Sequence, residues 1–179
     1  MSGQHTGRTD LPLTERGERN AQLLGERLAG LNFDLVLSSP LARAMRTCEL
    51  AGFGEQAEID PRLAEWDYGD YEGITTPEIH RERPDWELFR DGCPGGKSIV
   101  QVAQRAEGVI VRMRSSGART LLFSSGHILR VLTARWLGLD AACGRLFVLS
   151  TASLSILGYD HHLADPVVRL LNDARPCNG

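Results

Sequence analysis

The chain has 179 residues, 42% hydrophobic and 24% charged, with 20 basic against 23 acidic side chains and a net charge of −3. That balance lacks the basic excess of a nucleic-acid binder, and the charged share matches an ordinary globular protein, which argues against wholesale disorder. No apolar run reaches the ~18 residues a membrane helix needs, and no signal-peptide pattern is present, so the expectation is a cytoplasmic protein without membrane contact. The cysteines, Cys48, Cys93, Cys143 and Cys177, show neither Cys-x-x-Cys nor phosphatase-type Cys-x5-Arg spacing, and His161-His162 has no thiol nearby. They read as reduced thiols, with no metal and no cofactor implied.

In chain order, a polar loop at 1–13 leads into a helix from Thr14 to about Leu28, with Thr14 as N-cap and apolar residues at Ala21, Leu23, Leu24 and Leu28 with charges between them. Residues 33–38 read as a buried strand ending in polar residues. Pro40 then opens the first turn of a helix to about Leu50. A short strand is expected at 57–60 and an irregular aromatic and acidic segment at 61–94, with short helices near 77–90. A helix at 98–113, a strand at 120–124, a helix at 128–137, and strands at 146–158 and 166–171 complete the order. Alternating strand and helix predict an α/β three-layer sandwich with a largely parallel sheet, one domain over 1–179. The first helix has no strand before it from which to cross over.

Two strands end in small polar residues that lead into helices, Ser38-Ser39-Pro40-Leu41-Ala42-Arg43 and Ser124-Ser125-Gly126-His127. Ligands of parallel sheets bind outside such strand ends, where helix N-termini offer free N–H groups to anions. Arg43 stands in the first helical turn, able to clamp a phosphate. Glu65 sits among Trp66, Tyr68 and Tyr71 in a segment expected to be too irregular for the core; apolar neighbours there favour a protonated carboxyl, whereas a solvated acidic loop is the plainer alternative. Asp91 to Ser98 ends like a phosphate loop but has Asp91 in place of the first glycine and no strand before it. Ser125 and His127 lack a nucleophile elbow.

Four stretches in order, residues 2–14 with Gln4-His5-Thr6-Gly7, Ser38 to Ala44, Glu65 to Gly73 and Gly92 to Gly96, resemble the histidine phosphatase superfamily, phosphoglycerate mutase-like, nearest in wording to its acid phosphatase and sugar-bisphosphatase branch. The resemblance implies hydrolysis of small phosphorylated metabolites through a phosphohistidine, with Glu65 as proton donor, Arg43, Thr6, Gly7, Gly126 and His127 at the substrate, and no metal. It allows a homodimer. Two departures stand out. No Arg-His-Gly nucleophile motif occurs anywhere, and Ser125 takes the place of the second catalytic histidine. The residues therefore predict the family fold without its first strand. They leave open a start placed too late in a longer frame, decay into a pseudoenzyme that binds phospho-ligands or partners, or deliberate alteration. The His127 side chain is expected to point away from the substrate. The chain as it stands is expected to be inactive.

Overall fold

The structure, a computed structural model, describes residues 3–174. Its elements are α1 (Glu15–Leu28), β1 (Leu35–Ser38), α2 (Ala42–Leu50), β2 (Ala57–Ile59), α3 (Thr76–Glu82), α4 (Leu88–Asp91), α5 (Ile99–Ser116), β3 (Thr120–Phe123), α6 (Gly126–Trp136), β4 (Leu154–Tyr159) and β5 (Pro166–Asp173). The helices begin where their side chains can satisfy the first free N–H groups. Thr14 accepts from Gly17 N–H ahead of α1, and Ser98 and Gln101 form a reciprocal capping box at α5.

β1 lies between β2 and β3, parallel to both, with Val36 opposite Ala57 and Leu121. Alternation along these strands divides the core between two faces. Val36, Leu121 and Phe123 pack with Leu24, Leu28, Cys48 and Phe53 beneath α1 and α2. Leu37 faces the other way, into the larger cluster of Val102, Val109, Ile128, Val131 and Leu132 from α5 and α6. Helices cover both faces of the parallel sheet, as expected of the three-layer architecture. Burial of Cys48 pushes its thiol pKa up to about 11, and that of Cys93 to about 12, so neither is a nucleophile at neutral pH; Cys143 is also a free thiol, and Cys177 lies outside the described residues.

Several expectations are corrected. Trp66 and Tyr68 are among the most buried side chains, 0% and 2% exposed, so the 61–94 segment is core after all. Trp66 Nε1 donates to the Lys97 carbonyl at 2.8 Å and its ring meets Phe89 edge-on, which lets an irregular backbone bury a large indole with its donor satisfied. Pro40 precedes α2 by two residues rather than opening it, and α6 starts at Gly126, two residues early, because a carboxylate described below completes its first turn. Residues 146–153 are not strand; the last strands pair only with each other, antiparallel.

The β4–β5 hairpin carries seven Val, Leu or Ile residues, none of them buried below a tenth exposure. It is held by Trp136 Nε1 donating to the Gly158 carbonyl at 3.2 Å and by Arg27 paired with Asp173 at 2.9 Å. At the opposite edge, Asp60 is nearly enclosed and takes Arg62 at 2.6 Å and Arg112 at 3.3 Å, fastening β2 to α5. No helix among the described residues is long and apolar enough to cross a membrane.

Candidate functional site

Adjacent parallel strands bring the N-termini of α2 and α6 to the same end of the sheet. The Ser39 N–H donates to the Phe123 carbonyl at 2.8 Å, so the two polar strand ends remain zipped beyond the strands themselves. Both helix starts hold a carboxylate of the chain. Asp10 Oδ1 accepts from Ala42 N–H at 2.8 Å ahead of α2. At α6, Glu65 Oε2 accepts from His127 N–H at 3.1 Å and Oε1 from Ile128 N–H at 2.9 Å, with Trp66 N–H adding a third bond at 2.9 Å. A carboxylate here complements the helix dipole and satisfies donors that would otherwise be left without acceptors.

Glu65 is held from behind as well. Arg105 donates to the Ala64 carbonyl at 2.7 Å and to that of Glu65 at 3.2 Å. Ser125 is the half-buried N-cap of α6, its hydroxyl making no hydrogen bond among the described residues, and Gly126 is exposed. Arg43 spends two N–H groups on the 5–10 loop, Nη2 to the Thr6 carbonyl at 2.8 Å and Nη1 to that of Thr9 at 3.1 Å. Gly7 is buried, and a Cβ there would lie 1.9 Å from the Trp66 carbonyl oxygen; only glycine lets the loop pass this close.

The His127 ring does not point away. Its Nδ1 is 2.7 Å from the Tyr68 hydroxyl and 3.9 Å from Glu65 Oε2, because the first turn of α6 is pinned by Glu65 and aims position 127 at the aromatic segment. Burial pushes the Tyr68 phenol well up, and its hydroxyl shares a hydrogen bond with His127 Nδ1, while Nε2 takes no partner among the described residues.

A second imidazole, His5, was not a candidate from sequence. The loop is fixed by paired main-chain bonds, His5 N–H to the Ile74 carbonyl at 3.0 Å and Gly73 N–H to the His5 carbonyl at 2.8 Å. This sets the His5 ring 4.9 Å from Tyr68, 5.7 Å from Trp86 and 6.3 Å from His127, centroid to centroid. Burial, above all, lowers both histidine pKa values, against the opposite pull of Glu72 and Glu65 on His5 and of Glu65 on His127. Its place directly before Thr6 and Gly7 was the only available signal. Thus Arg43 is tied to Thr6, Thr6 follows His5, His5 faces His127, and His127 is tied to Glu65, with Ser125 at the start of the same helix as His127. No group of three or more side chains suited to a metal ion occurs among the described residues.

The histidine phosphatase superfamily (branch 1) family model matches residues 1–174, and the chain belongs to that superfamily. The chain is 42% identical over 163 residues to an acid phosphatase of Mycobacterium tuberculosis, covering 89% of this chain and 80% of that protein. It is 36% identical to a sedoheptulose 1,7-bisphosphatase of Saccharomyces cerevisiae, over 77% of this chain and 63% of the yeast protein. Among solved structures, that of a Mycobacterium tuberculosis open reading frame superposes with a TM-score of 0.89 at 38% identity, covering 96% of this chain and 89% of the other. An alpha-ribazole phosphatase from Shigella flexneri superposes with a TM-score of 0.82 at 27% identity, covering 99% and 92%.

Proposed function

We propose that the protein binds small phosphate monoesters at the carboxyl ends of β1 and β3 and does not turn them over through a phosphohistidine. In this reading Arg43, the Gly126 N–H and the Ser125 hydroxyl are the donors to phosphate, Thr6 and Gly7 form the turn beside it, and Glu65 has the proton donor's position. The observation that carries the reading is Ser125, an unbonded neutral hydroxyl at the start of α6 where the family's pattern has an imidazole. A hydroxyl donates a hydrogen bond but brings no charge, and the nearby His127 has Nδ1 committed to Tyr68, so nothing activates Ser125 as a nucleophile. The reading takes residues 1–179 as one domain and puts the protein in the cytoplasm, supported by the free thiols of Cys48, Cys93 and Cys143.

Calorimetric titration with inorganic phosphate, paired with an aryl phosphate assay, tests this. Phosphate is expected to bind the wild-type chain and to bind Arg43→Ala about tenfold or more weakly. Hydrolysis is expected to stay at the uncatalysed level in the wild type, where a neutral hydroxyl stands in the imidazole's place. Wild-type turnover in the ordinary range of about 1–10³ per second, or no phosphate binding at all, contradicts the reading.

A further inference from the structure

We propose that His5, Glu72 and His127 form the leaving-group wall of this site and select phosphate esters of neutral, hydroxyl-bearing alcohols against esters that carry a second anionic group. The inference rests on the phosphate-ester reading above and goes beyond it in naming the substrate class.

The argument begins with Glu72. Its Oε1 accepts from the Thr9 N–H at 2.8 Å, while Oε2 is buried and has no hydrogen-bond partner among the described residues. Among the described residues no ion pair offsets this carboxylate, and its charge bears on both His5 and Tyr68. Glu65, by contrast, is answered by two N–H groups at the start of α6 and by that of Trp66. The wall therefore has one compensated and one uncompensated negative charge.

The arginines of this region are turned elsewhere. Arg130 donates to the carbonyls of Gly144 and Arg145 and stacks on Phe89, and Arg105 serves the carbonyls of Ala64 and Glu65. Arg83 donates to the Tyr71 hydroxyl. Arg83 shares a pocket with Arg90, which is paired with Asp91 at 2.8 Å, and Arg8, beside Gly7, faces Asp67 at 3.8 Å. What remains is neutral and able to form hydrogen bonds: His127 presents Nε2, and His5, with Nε2 shared with the Thr76 hydroxyl at 3.2 Å, has a second ring nitrogen without a partner among the described residues. Tyr68, Trp86 and Phe89 supply the apolar surface beside these rings. Such a wall suits hydroxyl groups on a carbon skeleton. A second anion brought near Glu72 meets repulsion with little screening.

The test is a matched pair of probes, glycerol 3-phosphate and 3-phosphoglycerate, which differ in a hydroxymethyl against a carboxylate. The full-length chain is titrated with each, and with inorganic phosphate, at pH 7.5. Glycerol 3-phosphate is expected to bind at least about tenfold more tightly than 3-phosphoglycerate. In Glu72→Gln, which keeps an oxygen for the Thr9 N–H, that ratio is expected to fall to about threefold or less. In His5→Ala, glycerol 3-phosphate is expected to fall toward the affinity of inorganic phosphate. The wild-type ratio alone decides the matter even if a variant fails to fold. Equal affinities for the two esters with phosphate binding intact overturn the selectivity and leave the phosphate-ester reading standing. Loss of all three in the wild type overturns both.

Discussion

Glu65, His127 and Tyr68 show how single residues acquire their setting from neighbours distant in sequence. Position 65 is 62 residues from position 127, yet the carboxylate of the one terminates the helix that carries the other. A buried, neutral imidazole pair has a thermodynamic signature. His5 and His127 both have pKa values lowered from 6.5, so the unfolded chain takes up protons near that pH while the folded protein does not. The unfolded state then binds more protons, and stability falls as pH drops from about 6.5 toward the folded values. Urea midpoints measured from pH 8 to 5.5 should be flat at the upper end and decline below about 6.5. The decline should flatten in a His5→Gln, His127→Gln double variant. An unchanged decline in that variant would locate the effect elsewhere. At this scale the sequence exposed the chemistry only where a motif carried it. Glu65, Arg43 and Ser125 stand out in the sequence by their local wording. His5 was not, because its role depends on a loop anchored to Gly73 and Ile74 nearly seventy residues away. The direction of His127 was misread because the first turn of α6 is set by Glu65, a through-space partner that no helical periodicity reveals.

Among the elements, α6 has the most dependent start. Ser125 supplies no side-chain cap, so the free N–H groups of His127 and Ile128 rely on Glu65. Replacing Glu65 by alanine leaves both donors without their acceptor and should lower unfolding free energy by about 1–3 kcal/mol, read from urea unfolding. Glu65→Gln, which retains one carbonyl oxygen, should lose less. Equal stability of Glu65→Ala and wild type would mean that water caps the helix as well as the carboxylate does. Helices with their own caps were readable in advance. Thr14 announces α1, whereas α6 begins earlier than its apolar pattern suggests, since its cap comes from another segment. The 61–94 segment failed the same test in reverse. Its Trp66 and Tyr68 lie in irregular backbone, so no period marks them as core, and only their tertiary partners Lys97 and His127 make burial of their polar atoms affordable.

In the molecule as a whole, the strand and helix order of an α/β sandwich was evident because buried parallel strands are short, apolar and bounded by turns. The division of strands was less so. The sheet consists of a parallel trio, β2-β1-β3, and a separate antiparallel pair, β4-β5, whose apolar residues stay half-exposed. Both polar strand ends of the trio lie together, through Ser39 and Phe123, at the end of the sheet where α2 and α6 begin. The central claim is that this arrangement holds a phosphate ester and leaves it intact. Phosphorus NMR of the full-length chain with an aryl phosphate reads both halves of that claim in one spectrum. The account predicts an ester resonance broadened by the protein, sharp again with Arg43→Ala, and unchanged in area over hours. An inorganic phosphate resonance growing at enzymatic rates, or an ester signal that the protein never perturbs, would contradict it.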